Sequence, residues 1–161
     1  HQVMRQVAEV LRREIGRTVL LQGEDNKQRL LKTFVENGRA VLVATSSFWE
    51  GIDVRGAALS CVIIDKLPFA SPDDPLLKAR VDDCKLKGGD PFAELQLPKA
   101  VIALKQGVGR LIRDRSDHGV LVICDPRMVN KPYGATFIKS LPAIPRTREL
   151  GSLGSFFDRG A

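Results

Sequence analysis

Residues 40–45, AVLVAT, and 59–65, LSCVIID, are near-continuous apolar runs rich in β-branched residues. Strands that alternate apolar with polar residues bury one face, whereas unbroken runs of this kind belong to parallel strands covered on both faces. A third run, GVLVICD at 119–125, has the same character, and TVLLQ at 18–22 is a shorter version of it. Helical patterns lie between them. Val3, Val7, Val10, Leu11 and Ile15 recur at helical spacing, and Leu30, Leu31, Phe34 and Val35 form the apolar face of a second amphipathic helix. For that helix Asp25 is the expected N-cap, with Gln28 three residues on, and Gly38 the expected stop. Helices alternating with buried strands predict an open α/β sheet with right-handed crossovers.

The remaining segments fit around that sheet. Between Pro68 and Pro98 the pattern changes: PFASPDDP at 68–75 breaks the chain, and LLKARVDDCKLKGGD at 76–90 reads as a polar, basic helix ending at two glycines. This predicts a helical insertion over about 70–98 at the sheet's edge, within a domain spanning 1–140. From Leu141 to Ala161 two prolines and three glycines leave little apolar periodicity, which predicts an extended tail. Phe156 and Phe157 interrupt it, either folded back on their own domain or serving as a linear docking motif.

Bulk properties narrow the class. The 161 residues, 43% of them apolar, suffice for one domain with a sizeable core, and a net charge of +6 favours anionic partners. Cys61, Cys84 and Cys124 are widely spaced and odd in number, so they predict reduced thiols of a cytoplasmic protein rather than a disulfide framework or a metal site. No apolar run reaches the roughly 18 residues of a membrane span. The sequence starts at His1, already inside a helical pattern, and so reads as a piece of a longer chain.

Chemistry concentrates in two places. In an open parallel sheet ligands bind beyond the carboxyl ends of the strands. That edge holds Thr45, Ser46 and Ser47 after one strand, Asp65 and Lys66 after a second, and Asp125 after a third. The loop SSFWEGIDVRG at 46–56 adds Trp49, Glu50, Gly51 and Asp53. Hydroxyls and backbone amides at strand ends suit phosphate, and an Asp there can accept from a ribose hydroxyl. A capped turn with a half-buried Trp49 is the competing reading. The second place is LKQGVGRLIRD, residues 104–114, which scans as a helix despite Gly107 and Gly109. At about 100° per residue, Val101, Leu104, Val108, Leu111 and Ile112 share one face, and Gln106, Arg110 and Arg113 share the opposite one. Each interior glycine costs roughly 1 kcal/mol against alanine, which suggests a close approach to the backbone. Two aligned guanidiniums fit a phosphate, and two solvated surface arginines are the alternative.

QGVGRLIR at 106–113 resembles helicase motif VI, and VLVATSSFWEGIDVRG at 41–56 resembles motif V of superfamily 2 helicases of the XPD/DinG type. With DKLPFASPDDP at 65–75 and LPKAVIALKQGVGRLIRD at 97–114, the resemblance runs over residues 1 to about 140 and is strongest to the YoaA branch of that family. It implies the second, RecA-like motor domain of an ATP-dependent 5′→3′ DNA helicase acting in replication-coupled repair. Arg110 and Arg113 would then reach the γ-phosphate of an ATP bound mainly by the other motor domain of the same chain, as arginine fingers. Gln106, Gly109, Glu50, Gly51 and Asp53 would line the nucleotide cleft. Thr45, Ser46, Ser47, Trp49, Lys66 and Phe69 would face single-stranded DNA.

The departures from the family pattern carry information too. No P-loop and no acidic Mg²⁺-binding box occur here, so the resemblance implies that ATP and Mg²⁺ are held mainly elsewhere and that this piece alone is inactive. The family's iron–sulfur cluster is expected in the parent chain, outside these residues. A strand before the first helix is expected upstream of His1. The branch also implies the χ subunit of the clamp loader as a partner, with Phe156 and Phe157 as candidate contacts. A non-catalytic docking module, whose tail binds a replication or repair protein, is the alternative from a different functional class.

Overall fold

The computed structural model describes residues 2–49, 54, 58–111 and 118–159. They form two compact units, one drawn from 1–60 and 110–119, the other from 61–109 and 120–161.

In the first unit α1 (Gln2–Glu14) packs on β1 (Val19–Leu21), which pairs in parallel with β2 (Val41–Val43), Val19 opposite Val41 and Leu21 opposite Val43. The crossover between the strands is α2 (Lys27–Asn37). Met4, Ala8, Leu11 and Ile15 recur every three or four residues along α1 and meet Val19, Leu21, Val41 and Val43 in one apolar cluster. Arg12 lies along this layer and donates from Nη2 to the Val19 carbonyl at 3.0 Å. Its ion pair with Glu24 holds the Glu24 carboxyl below the usual range. The cap of α2 falls one residue later than expected: the Asn26 side chain accepts from the Arg29 N–H at 2.9 Å, while Asp25 accepts from the Asn26 N–H. Gly38 closes the helix in the left-handed region at φ 65°, as expected.

In the second unit β3 (Cys61–Ile64) and β4 (Val120–Ile123) pair in parallel, Cys61 opposite Val120 and Ile64 opposite Ile123. The four described strands are therefore parallel members of an α/β fold, as the apolar runs predict. Among the described residues Ile63 is 68% exposed while its neighbour Ile64 is buried. Successive strand residues point to opposite faces, so Ile64 belongs to the face of β3 that packs into this unit.

From Pro75 onward the chain is largely helical. α3 (Pro75–Leu86) starts at Asp74, whose carboxylate accepts from the Leu76 and Leu77 N–H groups, with Pro75 in the first turn where no N–H is needed. It stops at Lys87, and Gly88 turns the chain at φ 77°. A π turn (Phe92–Gln96), in which the Leu97 N–H reaches back five residues to the Phe92 carbonyl, leads directly into α4 (Leu97–Val108). Pro98 explains the widening: it has no N–H to donate, and its ring would collide with the carbonyl four residues back in a regular helix. Ala100, Leu104 and Val108 are buried along α4.

α5 (Arg127–Asn130) and α6 (Gly134–Ser140) complete the unit, with Phe137 fully buried. The final segment differs from the extended tail expected. Residues Gly151–Arg159 form α7, entered through a turn in which Thr147 Oγ1 accepts from the Glu149 N–H at 3.0 Å. Leu150, Leu153 and Phe157 follow helical spacing that the interspersed glycines obscure.

Candidate functional site

At the carboxyl end of β2 the chain enters a 3₁₀ turn, Ser46–Trp49. Its position is fixed from β1. The Gln22 N–H donates to the Val43 carbonyl at 2.9 Å, and the Gln22 side-chain oxygen accepts from the Thr45 N–H at 2.8 Å and from its hydroxyl at 3.0 Å. Thr45 in turn accepts the Phe48 N–H on its carbonyl at 2.9 Å. Phe48, rather than a solvent-facing ring, is buried beneath the turn, with Lys27 of α2 over its face at 5.2 Å from the centroid. Ser46 is exposed, whereas of Ser47 and Trp49 only the backbone is described. Gln22 and Lys27 escaped the sequence reading because their roles arise from parallel pairing that brings the ends of β1 and β2 together.

In the second unit the ends of β3 and β4 form a polar anchor. Asp125 is 5% exposed and accepts from the Leu67 N–H at 2.8 Å, the Arg127 N–H at 2.9 Å, and the Arg127 guanidinium at 2.6 Å. The guanidinium, helped by the two backbone donors, drives the Asp125 carboxyl far below the usual carboxylate range. Arg127 also lies over the Phe69 ring at 5.2 Å. Phe69 stacks on Phe92 at 5.8 Å and meets Tyr133 and Phe137 edge-on. Lys66 and Asp65, between β3 and this anchor, are exposed. The signal for the pair was present as Asp-Pro-Arg directly after a buried strand, but the aromatic partners come from distant positions.

The Asp125 carboxylate sets a pH dependence. Its folded value lies below its unfolded value, about 3.9, so the unfolded chain takes up the proton first as pH falls. The stabilisation is fully present above about pH 5 and is lost toward lower pH. Asp125→Asn should be less stable than wild type at pH 7, by about 1–3 kcal/mol for hydrogen bonds to a charged group with Arg127 partly solvated. That gap should narrow at pH 3, as urea unfolding at the two pH values measures.

The helix expected through residues 104–114 stops short. α4 ends at Val108, with the Gly109 N–H donating to the Lys105 carbonyl at 2.8 Å, and residues 109–111 form a turn. Gln106 is exposed on the last turn of the helix, and Arg110 is half-buried just after it, so the two do not share a continuous helical face. The glycines mark the helix end; a Cβ on Gly109 would stand 3.2 Å from the Lys105 carbonyl oxygen. Arg113, Glu50, Gly51 and Asp53 lie outside the described residues. Phe156 is 40% exposed on α7, and Phe157 is described in its backbone alone. Among the described residues no three His, Cys, Asp or Glu side chains cluster as metal ligands, and no helix is long and apolar enough to cross a membrane.

Comparison with known proteins bears on these features together. The family model described as the helicase C-terminal domain matches residues 1–144. The ATP-dependent DNA helicase YoaA of Escherichia coli (strain K12) is 68% identical over 150 residues, 93% of this chain and 24% of that protein. Its namesake in Haemophilus influenzae is 60% identical over 156 residues, 97% of this chain and 24% of that protein. The 3′-5′ exonuclease DinG of Bacillus subtilis (strain 168) is 38% identical over 147 residues, covering 88% of this chain and 16% of that protein. The chain thus spans a quarter or less of the length of these relatives. With a single family model running over its parallel strands, the turn after β2 and the end of α4, the chain belongs to the helicase C-terminal domain family.

Proposed function

We propose that this chain is the second motor domain of an ATP-dependent DNA helicase that moves 5′→3′ on single strands in replication-coupled repair. The observation that carries the reading is the 68% identity to an ATP-dependent DNA helicase across 93% of the chain. In this reading Arg110 and Arg113 complete the ATP site of the other motor domain. Planar, always-charged groups are suited to the charge on a transferring phosphoryl group. Gln106 and Gly109, with Glu50, Gly51 and Asp53, border the nucleotide. Thr45, Ser46, Ser47, Trp49 and Lys66 contact the strand, while Phe69, packed against Arg127, Phe92, Tyr133 and Phe137, anchors the turn that carries Lys66; the Gln22 bonds that fix Thr45 keep its backbone in place between cycles. Mg²⁺ is held by the other motor domain and the iron–sulfur cluster lies elsewhere in the parent, so the 161-residue piece alone hydrolyses no ATP.

The test is strand separation by the parent chain on duplexes with a single 5′ or 3′ tail. Unwinding of the 5′-tailed substrate with ATP is expected; a preference for the 3′ tail, or hydrolysis indifferent to DNA, would overturn the reading.

A second role is favoured by the end of the chain, where Leu150, just before α7, is 77% exposed and Phe156 on α7 is 40% exposed. In it residues 150–161 dock a replication or repair protein, the clamp-loader χ subunit being the candidate. Deleting 150–161 from the parent should abolish capture of purified χ while DNA-stimulated ATP hydrolysis stays within about twofold of wild type; capture that survives the deletion rules this role out.

A further inference from the structure

Lys66 is exposed, yet the backbone on either side of it is tightly held. Upstream, the last sheet bond runs from the Cys124 N–H to the Ile64 carbonyl at 2.8 Å. Downstream, the Leu67 N–H is captured by Asp125 Oδ2 at 2.8 Å, and the Leu67 side chain is buried at 3% exposure. The Leu67 carbonyl then accepts from the Phe69 N–H at 2.8 Å, closing a tight turn. Phe69 is in turn clamped between the Arg127 guanidinium, 5.2 Å from its centroid, and the rings of Phe92, Tyr133 and Phe137. Asp125 and Arg127 therefore hold the turn from two sides, one through its backbone and the other through its aromatic side chain.

We propose that Asp125 and Arg127 are positioning residues for strand binding, holding the turn that carries Lys66 so that its ammonium meets a DNA phosphate. The inference rests on the motor-domain reading and extends it to two residues that do not themselves touch DNA. A turn fixed before the strand arrives loses less freedom on binding, so more of the Lys66–phosphate attraction appears as affinity.

The experiment measures binding of a fluorescent deoxythymidine oligomer by the full parent chain across a salt series, in a double-mutant cycle. Lys66→Ala should weaken binding several-fold and reduce the slope of log affinity against log salt by about 0.7, the loss of one single-strand phosphate contact. Arg127→Gln and Asp125→Asn should each weaken binding several-fold in the presence of Lys66. Both should have little effect once Lys66 is alanine, because they act through it. In ATP hydrolysis the DNA concentration giving half-maximal rate should rise while the maximal rate holds.

Equal weakening in the Lys66→Ala background would show that the pair supports the domain in general and would overturn the proposal. So would wild-type affinity in Lys66→Ala, which removes the contact but leaves the motor-domain reading intact. A parent chain that binds no single strand at all would sink that reading itself. Thermal unfolding of each variant checks folding, and Arg127→Lys, which keeps a cation beside Asp125 but not its fork, replaces Arg127→Gln if that variant unfolds; it too should lose affinity only when Lys66 is present.

Discussion

Arg113→Ala in the parent chain lowers single-strand-stimulated ATP turnover by about a hundredfold or more, while single-strand binding stays near wild type. The expectation follows from where charge develops. In phosphoryl transfer the protein contributes chiefly positioning and electrostatic stabilisation, so a guanidinium that meets the γ-phosphate only on domain closure acts on the barrier rather than on the ground state. A hundredfold corresponds to about 2.7 kcal/mol of barrier. Arg110→Ala should behave in the same direction, because Arg110 follows the end of α4 directly and is half-buried. Arg→Lys at either position keeps the charge and loses the fork, and should recover only a minor part of the rate. Turnover unchanged in all four variants would return both arginines to the role of solvated side chains and leave the docking role of α7 as the surviving function. Single-turnover kinetics with DNA affinity measured in parallel separates these outcomes.

Gly134→Ala should be among the most destabilising single-methyl changes in the chain. A Cβ built there would lie 2.1 Å from the Met128 carbonyl oxygen, 2.6 Å from its carbon and 3.0 Å from the Arg127 carbonyl oxygen. All three are backbone atoms, so no side chain can swing aside; α5 and α6 must separate. Overpacking relieved by side chains costs about 1–3 kcal/mol, and a clash relieved only by backbone movement belongs at or beyond the upper end. For a chain of this size about 3 kcal/mol lowers the unfolding midpoint by roughly 6–12 °C. The shift also reaches the anchor, since α5 begins at Arg127 and α6 carries Phe137. Thermal unfolding followed by circular dichroism measures the first effect, and a loss of under about 2 °C would mean that the two helices move apart freely.

The parts of the fold that were legible in the sequence are those set by repeated local signals. Four apolar runs gave parallel strands, and helical spacing gave α2 with its left-handed stop at Gly38 and the existence of α1, although Val3, Val7 and Val10 are exposed and the packed stripe is Met4, Ala8, Leu11 and Ile15. Failures occurred where one residue decides. Asp25 and Asn26 are adjacent and chemically alike as caps, and only the backbone geometry selects Asn26. The apolar period through Leu104, Val108 and Leu111 continues past the true end of α4, so periodicity argued for a helix that two glycines had already weakened. In the tail the same residue type misled in the other direction, because glycines at 151 and 154 hid the spacing that builds α7. Which polar residues stand at strand ends was legible, since the apolar runs fix where each strand stops. Their supports were not: Gln22 reaching Thr45, and Asp125 reaching Leu67 across 58 positions, exist only once parallel strands are paired.

The π turn before α4 records how the helix accommodates chain length. A turn closed over five residues holds one residue more than a regular turn, so Phe92–Gln96 behaves as an insertion absorbed in place. Removing one residue there would restore regular winding but rotate everything ahead of it by about 100° relative to α4. Phe92 would then leave the rings of Phe69 and Tyr133. The extra residue thus acts as a phase adjuster, letting a helix whose later turns serve the buried core present its first aromatic to a different set of neighbours.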